Sequence, residues 1–320
     1  MKKILLLLLS SLVGVIIAYG SAGVSSKDYD EVVVRTDNRY PEMETKLQAY
    51  IADKKDAHIG IAVIVNGRDT VEVNGRRDFP MLSVYKFPQA LAVADYCVWN
   101  GIAVSDTIAV KAGDLKENTW SPMRDRYGIR DVRLPLSEIL EYSLSQSDNN
   151  ACDILFGIIG GPAVADSLMK TLGYGDIVIA STEDEMHQDL NLCYRNTSTP
   201  VEMAALFDRF YRQEMYRDSP LHETIASIML TCKTGLNRLP APLTACNNIR
   251  LGHKTGTGDK NAQDRIIAVN DAGYVFLSDT SGYSIAVFIS DSAYDMEQTE
   301  RIIGDISGIV FATLVEKATS

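Results

Sequence analysis

Three short strings in the sequence place side chains that can attack, donate or bind at a fixed spacing. They are Ser83-Val84-Tyr85-Lys86, Ser147-Asp148-Asn149 and Lys254-Thr255-Gly256. On a helix, Ser83 and Lys86 would share one face, one turn apart. A serine hydroxyl is a weak nucleophile until a base takes its proton, and the start of a helix offers N–H groups to a developing oxyanion. The first string therefore predicts a nucleophilic serine with a lysine beside it.

Two of these strings have a second copy, because SxxK recurs at 167–170 and KTG at 233–235. At average residue usage about one SxxK is expected by chance in a chain of this length, so the setting must separate the copies. Ser83 follows Pro-Met-Leu and opens a helix, whereas Ser167 lies within an amphipathic helix and is predicted to be a surface residue. Lys233 follows the helical string ETIASIMLTC, so we interpret it as a basic last turn that Gly235 caps.

Composition and spacing exclude several other kinds of site. The chain has 320 residues and a formal net charge of -11, and a nucleic-acid partner is not expected because phosphate binding needs clustered cations. The four histidines are scattered without an HExxH string, and the chain has no GxSxG elbow, so neither a metal site nor a Ser-His-Asp esterase is predicted. The five cysteines do not suggest a disulfide scaffold, although one pair stays open. They are Cys97, Cys152, Cys193, Cys232 and Cys246, and we expect the first two to be buried.

Hydrophobic patterns place strands near both ends of the chain and helices between them. Strands are predicted over 58–66, 70–74, 249–257, 265–277 and 283–290, and helices over 41–54, 84–99, 136–144, 149–159, 163–171, 199–213, 221–231 and 293–316. Pro88 predicts a mild kink in its helix. Strands from both termini must share one sheet. The predicted fold class is therefore α/β (α+β), a five-stranded antiparallel sheet flanked by helices with an inserted all-α domain, and with the active site at the seam.

This division predicts a discontinuous sheet domain, 23–79 with 233–320, and a helical domain over 80–232. Residues 1–22 form a predicted secretory signal peptide, since two lysines precede an apolar run over 4–18 and small residues follow it. That run is shorter than the ~20 apolar residues of a spanning helix, although an uncleaved anchor is the alternative. We therefore expect a periplasmic or secreted monomer without a stable membrane partner after cleavage.

In this order and setting, the three strings resemble those of the class A serine β-lactamases, within the penicillin-recognising serine hydrolases. The resemblance covers nearly all of the mature chain. The strings LSVYKFPQALAV, SQSDNNACDIL and GHKTGTG resemble more closely the branch typified by the CfxA and PER enzymes. Family membership implies hydrolysis of β-lactam antibiotics, and the closer resemblance favours cephalosporins among them. It implies neither a metal ion nor a cofactor.

The family also uses a glutamate on an omega-shaped loop to activate the deacylating water. That loop corresponds to 181–197 here, and Glu183 takes the position of the glutamate, with Glu185 as the competing carboxylate. Three departures fall in the same region. His187 stands where an asparagine is usual, Ser181 and Asn196 replace an Arg–Asp bridge, and Asp153 replaces an asparagine. We therefore expect an altered and roomier loop.

The resemblance implies roles for individual residues. Ser83 would attack the β-lactam carbonyl, with Lys86 or Glu183 as the base that takes its proton, and Ser147 would pass a proton to the leaving nitrogen. Asp148 is interpreted as structural. An arginine that assists the carboxylate site in the family is not assigned, because Arg265 is out of register.

The remaining predicted site residues would hold the substrate rather than react. Asn149 would bind the substrate side-chain amide, and Lys254, Thr255 and Gly256 would meet the substrate carboxylate. The backbone N–H groups of Ser83 and Thr257 would form the oxyanion hole. Trp120 would flank the entrance, with plain packing as the alternative, and His187 would help to place the water unless it is an ordinary surface histidine.

Two other functions share part of this pattern. A penicillin-binding D,D-peptidase would carry the same three strings but would lack the deacylating glutamate. A β-lactam sensor domain would be acylated and stay so, and it would need a membrane anchor and a signalling region. Glu183 is the residue that argues for the β-lactamase over both alternatives.

Overall fold

The computed structural model describes residues 39–319, except 216–218, 245 and 247, and the predicted signal peptide therefore lies outside the described residues. The strands are β1 His58–Val65, β2 Asp69–Val73, β3 Phe79–Pro80, β4 Thr107–Val110, β5 Val132–Pro135, β6 Thr197–Ser198, β7 Arg250–Thr257, β8 Ile266–Phe276 and β9 Gly282–Ser292. The helices are α1 Pro41–Ile51, α2 Lys86–Asn100, α3 Pro122–Tyr127, α4 Leu136–Ser145, α5 Asn149–Ile159, α6 Pro162–Thr171, α7 Glu183–Gln188, α8 Pro200–Tyr211, α9 Pro220–Leu230 and α10 Met296–Thr319.

Five strands form one antiparallel sheet in the order β2-β1-β9-β8-β7. Strands from the two ends of the chain meet where β1 pairs with β9, with Ala62 opposite Ala286. The predicted α/β (α+β) class, with its five-stranded antiparallel sheet, is confirmed. Helices α2 to α9 all occur in the chain between β3 and β7. The domain boundaries at 79/80 and 232/233 stay predictions.

Apolar residues on both faces of this sheet are buried, because helices cover each side. In β9, Ile285, Val287 and Ile289 pack with α1 and α10, whereas Ala286 and Phe288 belong to the larger core shared with the helices on the other face. Successive side chains of a strand point to opposite faces, so each strand contributes to both cores. The sheet is therefore a rigid central layer on which the edge strand β7 is held.

Three details differ from the sequence prediction. Helix α2 begins at Lys86, after a 3-10 turn over Leu82–Tyr85, so Ser83 lies in the turn rather than in the helix. Pro88 is then the third residue of α2, where its missing N–H falls among those that have no partner within the helix, so the predicted kink has no cause. The short pairs β3–β6 and β4–β5 accompany the helices and were not predicted.

Within the described part of the chain, no single helix is both long and apolar enough to cross a membrane. One bent pair, Asn149–Ile159 with Pro162–Thr171, meets the length and composition criteria jointly.

Candidate active site

Ser83 lies in a turn that is held against the end of β7. Leu82, just before it, has a φ of 46°, so the backbone is left-handed there. A Cβ added to Gly256 would lie 2.4 Å from the Met81 carbonyl oxygen and 3.3 Å from the Ser83 nitrogen. A side chain at position 256 would therefore collide with the turn. The glycine of the KTG string lets the strand approach the serine backbone.

Lys86, one turn further along, is fully buried. Its Nζ donates to the Asn149 Oδ1 at 2.6 Å and to the Ser147 carbonyl oxygen at 2.9 Å, and it lies 3.1 Å from the Glu183 Oε1. The Nζ also donates to the Asp148 carbonyl oxygen at 3.4 Å, so four oxygen atoms surround it. A buried charge needs such partners, because burial without them is costly. The lysine is therefore held by polar partners at the centre of the site.

The Ser147-Asp148-Asn149 string forms the turn that leads into α5. Ser147 has a φ of 58°, which is an uncommon backbone conformation for a residue other than glycine. The buried Asp148 carboxylate stabilises the turn, since it accepts hydrogen bonds from the Ser121 hydroxyl and from the Met123 and Ala151 N–H groups. The structural interpretation of Asp148 is thus confirmed. The Asn149 Nδ2 donates to the Thr119 Oγ1 at 2.8 Å, so both ends of its amide are engaged.

Lys254 approaches the same turn from β7. It is fully buried, and its Nζ donates to the Ser147 Oγ at 3.0 Å and to the Thr255 carbonyl oxygen at 3.0 Å. Burial lowers the pKa of Lys254 to about 7, and the nearby Lys86 charge acts in the same direction. The charge of Lys254 is consequently sensitive to pH near neutrality.

The loop over 181–197 brings a carboxylate to the serine. The Glu183 Oε1 accepts a hydrogen bond from the Ser83 Oγ at 3.3 Å, and it is the oxygen that lies near the Lys86 Nζ. Glu185 instead points back along its own helix, where its Oε2 accepts from the Thr182 N–H at 2.9 Å as part of a capping box. Of the two competing carboxylates, the structure places Glu183 beside Ser83.

Asn196 and Asp153 hold this loop in the absence of an Arg–Asp bridge. The buried Asn196 Oδ1 accepts from the Ala180 and Ser181 N–H groups, and its Nδ2 donates to the Ser181 carbonyl oxygen. The Asp153 carboxylate accepts from the Glu183 and Asp184 N–H groups, each at 2.8 Å. Burial and the nearby Glu183 charge raise the pKa of Asp153 to about 7. The closing contacts thus differ from the family's bridge, and the greater width stays a prediction.

The outer residues of the predicted site surround this centre. Trp120 is 61% exposed, and its Nε1 donates to the Gln146 carbonyl oxygen at 2.9 Å. His187 is exposed on α7 and, with Glu183 and Asn149, lines a cavity of about 250 Å³. Thr257 ends β7, next to the glycine that contacts the Ser83 turn. The roles of these three residues towards the substrate stay predictions.

One part of the sequence interpretation was wrong, because the second KTG string is not a helix cap. Helix α9 ends at Leu230, and Lys233 lies beyond it, where its N–H donates to the Ser145 carbonyl oxygen. The Oγ1 atoms of Thr234 and Thr255 are 2.6 Å apart, so the second string contacts the first. By contrast, the SxxK copy at 167–170 is exposed on α6, as expected.

Sequence reasoning also missed Arg238, whose side chain binds the last residues of β7. This buried guanidinium donates to the Gly256 and Asn270 carbonyl oxygens and to the Thr257 Oγ1, and it pairs with Glu300 at 3.1 Å. No pattern in the surrounding loop distinguishes this arginine from any other. The excluded Arg265 instead binds the backbone carbonyls of Asp56 and Asp291.

The described residues contain no group of three or more His, Cys, Asp or Glu side chains that could hold a metal ion. All five cysteines are free thiols, and Cys97 and Cys152 are buried, as predicted. The charged groups that the structure places around Ser83 are side chains of three residues. They comprise two buried ammonium groups and one carboxylate that the serine hydroxyl can reach.

Comparison with known proteins agrees with this geometry. The model of the beta-lactamase enzyme family matches residues 42–314. A beta-lactamase of Bacteroides uniformis is 37% identical over 270 residues, which are 84% of this chain and 90% of that protein. Beta-lactamase VEB-1 of Pseudomonas aeruginosa is 33% identical over 99% of both chains.

Solved structures show the same likeness. The TLA-3 extended-spectrum beta-lactamase aligns with a TM-score of 0.82 at 35% identity, over 86% of this chain and 99% of that one. A class A beta-lactamase from Bacteroides cellulosilyticus aligns with a TM-score of 0.82 at 35% identity, over 87% of this chain and 99% of that one. The motifs, the arrangement around Ser83 and these matches lead to one conclusion, that the chain belongs to the beta-lactamase enzyme family as a class A serine enzyme.

Proposed function

We propose that the protein hydrolyses the β-lactam ring of cephalosporins and penicillins through an acyl-enzyme on Ser83, and so confers antibiotic resistance. The observation that carries this proposal is the position of the Glu183 Oε1, 3.3 Å from the Ser83 Oγ and 3.1 Å from the Lys86 Nζ. A serine hydroxyl, an ammonium group and a carboxylate at one point can both form and release an ester. A peptidase or a sensor would need no carboxylate at that position.

Acylation begins when the Ser83 hydroxyl loses its proton and the oxygen attacks the lactam carbonyl. The Lys86 Nζ is surrounded by oxygen atoms of Ser147, Asp148, Asn149 and Glu183. The Ser83 hydroxyl already donates to Glu183. The proton goes to Glu183 or to Lys86, and a Lys86 that stays protonated stabilises the alkoxide as it forms.

The tetrahedral intermediate places negative charge on the former carbonyl oxygen. The N–H groups of Ser83 and Thr257 come from the turn and the strand that meet at Gly256, and together they would bind this oxyanion. Arg238 supports the second of these groups, because it binds the carbonyl oxygen of Gly256 and the hydroxyl of Thr257. The proposed oxyanion hole therefore consists of backbone N–H groups, and neighbouring side chains fix the position of that backbone.

Ring opening requires a proton for the lactam nitrogen. The Ser147 hydroxyl accepts a hydrogen bond from the Lys254 Nζ at 3.0 Å, so its own proton is free to go to the leaving nitrogen. Lys254 and Thr255 would at the same time bind the substrate carboxylate. Asn149 would bind the side-chain amide with its Nδ2 after releasing the Thr119 hydroxyl.

Deacylation needs water beside the ester. Glu183 would take a proton from this water and direct it to the acyl carbon, and His187, on the same short helix, would help to place it. Asp153 fixes the loop, since it binds the N–H groups of Glu183 and Asp184. Glu183 therefore acts on the water of deacylation, whichever group takes the proton of Ser83.

Turnover of a chromogenic cephalosporin tests this function. We expect the wild-type protein to hydrolyse many equivalents, and the Glu183→Gln variant to lose about 10²–10⁴-fold in the deacylation rate, the range of a general base. Glu185→Gln is the matched control, because it removes a carboxylate from the same helix that only caps it. Stoichiometric labelling of the wild-type protein without turnover would overturn the hydrolase proposal in favour of a peptidase or a sensor.

We further propose that the mature chain is an exported monomer of the periplasm or the medium, with neither nucleic acid nor membrane as a partner. The signal-like residues 1–22 and the acidic composition support this proposal. Cell fractionation and N-terminal sequencing of the exported protein, with its elution volume on a sizing column, test it. Retention of the full-length chain in the membrane fraction would contradict it.

A further inference from the structure

A buried polar contact joins α2 to α5 one helical turn beyond the contact between Lys86 and Asn149. Gln89 lies three residues after Lys86 in α2, and Cys152 lies three residues after Asn149 in α5. Residues three apart share one face of a helix, so both members of each pair face the other helix. The Lys86 Nζ donates to the Asn149 Oδ1 at 2.6 Å, and the Gln89 amide binds Cys152. Two successive polar contacts therefore join the two helices.

The Gln89 amide binds Cys152 with both its nitrogen and its oxygen. Its Nε2 donates to the Cys152 carbonyl oxygen at 2.8 Å, and its Oε1 accepts from the Cys152 Sγ at 3.2 Å. The same sulfur lies 3.3 Å from the Tyr85 hydroxyl oxygen. A thiol carries one proton, and Gln89 accepts it, so the Tyr85 hydroxyl is the donor to the sulfur. The donors and acceptors of the three side chains therefore match in one direction only.

The side chains of Tyr85, Gln89 and Cys152 are completely buried. Burial raises the pKa of both Tyr85 and Cys152, so each keeps its proton at neutral pH. The Tyr85 ring also stacks on Phe156 of the next turn of α5, with 5.9 Å between the ring centroids. A buried polar group without a partner is costly, and a movement of α5 away from α2 would leave the Gln89 amide unsatisfied. These contacts therefore fix the distance between the two helices.

The position of α5 matters because this helix carries partners of two groups at the site. Asn149, in its first turn, binds the Lys86 Nζ at 2.6 Å. Asp153, in its second turn, accepts from the Glu183 N–H at 2.8 Å. A change at Gln89 would therefore reach the site through α5, without any contact between Gln89 and the substrate.

We propose that Gln89 is a positioning residue, which holds α5 at the distance from α2 that acylation of Ser83 requires. Acylation of Ser83 is a step of the proposed function, on which this role rests. Without the Gln89 amide, Asn149 should move away from Lys86 by a fraction of an ångström. A misplacement of about 1 Å can cost about 10²-fold in rate, so this smaller movement should cost about tenfold.

The first experiment measures the acylation rate of Ser83 with a chromogenic cephalosporin in a single turnover, with the protein in excess. Gln89→Met keeps the length of the side chain and removes its amide, and we expect acylation to slow by about tenfold. The matched control is Val93→Ala, which removes two methyl groups from a fully buried residue one turn further along α2.

The control separates positioning from stability. Val93→Ala should lower the Tm by several degrees, because it leaves a cavity in the core, and acylation measured well below the Tm should stay within about twofold of wild type. Equal slowing in both variants would overturn the proposal, because loss of stability alone would then explain the rate. A folded Gln89→Met protein with the wild-type acylation rate would overturn it as well.

A double-mutant cycle with Asn149→Ala tests whether Gln89 acts through the contact between Asn149 and Lys86. In a protein that already lacks the Asn149 amide, Gln89→Met should slow acylation by at most about threefold more. Independent contributions would multiply instead, as they would for a residue that serves stability alone. A larger further loss would therefore overturn the proposed role.

Substitutions of Cys152 test the same contact from α5. Cys152→Ser keeps a group that can donate to Gln89 and accept from Tyr85, so acylation should stay within about twofold of wild type. Cys152→Ala keeps only the carbonyl oxygen that Gln89 binds, so its loss should lie between those of Cys152→Ser and Gln89→Met. The reverse order would contradict the role of the sulfur. Wild-type protein that is acylated without turnover would count against the proposed hydrolase, and the acylation rates would still decide the role of Gln89.

Discussion

The same four-residue pattern, serine-x-x-lysine, occurs in two helical regions with opposite surroundings. In the copy at 83–86, the lysine is fully buried and lies near Glu183, and the serine hydroxyl donates to that carboxylate. In the copy at 167–170, both residues are exposed, and the lysine pairs with Asp166 one turn earlier on the same helix. Residue types and spacing are identical, so they cannot be the source of the chemistry.

The difference teaches that partners from distant segments turn this pattern into a site. Water screens the exposed pair, whose contribution to stability is about 0.3–0.5 kcal/mol. In the buried copy each charge interacts in a medium of low dielectric constant, so its neighbours decide its protonation and reactivity. Those neighbours come from α5, from the loop over 181–197 and from β7. The fold, rather than the motif, assembles the reactive group.

Replacing each serine by alanine gives the largest expected contrast. Ser83→Ala removes the nucleophile, and we expect kcat/KM for a cephalosporin to fall by at least about 10⁴-fold, as in other serine hydrolases. Ser167→Ala changes an exposed hydroxyl and should leave kcat/KM within twofold. Steady-state kinetics of both purified variants measures the contrast. Equal losses in the two variants would show that burial does not separate the copies.

Replacing each lysine by methionine should give the next largest contrast. Lys86→Met removes the charge that stabilises the Ser83 alkoxide and leaves Glu183 without its buried partner, so kcat should fall by about 10²–10⁴-fold. Lys170→Met removes only an exposed ion pair. Pre-steady-state acylation rates with a chromogenic substrate provide the measurement. A Lys86→Met protein that acylates at the wild-type rate would contradict the role of the charge.

The pH dependence of kcat/KM tests Lys254, which is predicted to bind the substrate carboxylate beside the buried SxxK copy. Because burial lowers the pKa of Lys254 to about 7, the free enzyme should lose this positive charge as the pH rises through neutrality. We expect kcat/KM to fall by about 25-fold between pH 6.5 and pH 8.5, mainly through KM, because the charged fraction of a group with this pKa falls by that factor. Lys254→Arg keeps its charge over this range and should flatten the fall. A wild-type KM that stays constant over this range would refute the explanation.

The loop over 181–197 supports the SxxK copy at 83–86, and weakening that support should give the smallest of these effects. Asn196→Ala removes three buried hydrogen bonds, so we expect the free energy of unfolding to fall by about 2 kcal/mol and the Tm by about 5 °C. The matched control is Asn191→Ala, an exposed asparagine in the same loop, which should stay within about 0.5 kcal/mol of wild type. Calorimetry of both variants tests the loop, and equal Tm values would show that Asn196 does not close it.

Much of the fold and of the candidate site could be predicted from the sequence, because the patterns that indicate them lie within short segments of the chain. The periodicity over 149–159 coincides with α5, and the apolar runs at both ends of the chain correspond to the strands of one sheet. The choice between the SxxK copies rested on the Pro-Met-Leu approach and the amphipathic pattern around Ser167, which burial bears out. Local patterns report burial well, since burial imposes a period on the sequence.

The contacts that sequence reasoning missed are those that join segments far apart in the chain. Thr234 was interpreted as part of a helix end, yet its hydroxyl group contacts the hydroxyl group of Thr255 in β7. Arg238 reaches Thr257 and Glu300 from an irregular loop without periodicity. No spacing rule links such residues, because the packing of β7 against its neighbours brings them together.

The central claim is that the setting of Ser83, and not the pattern it shares with Ser167, creates the nucleophile. Peptide mapping of the Glu183→Gln protein after incubation with a cephalosporin tests this claim most directly, because the variant should accumulate its acyl-enzyme. We predict one adduct per chain, on the peptide that contains Ser83, and none on the peptide that contains Ser167. An adduct on any other residue, or rapid turnover with no adduct on Ser83, would contradict the account.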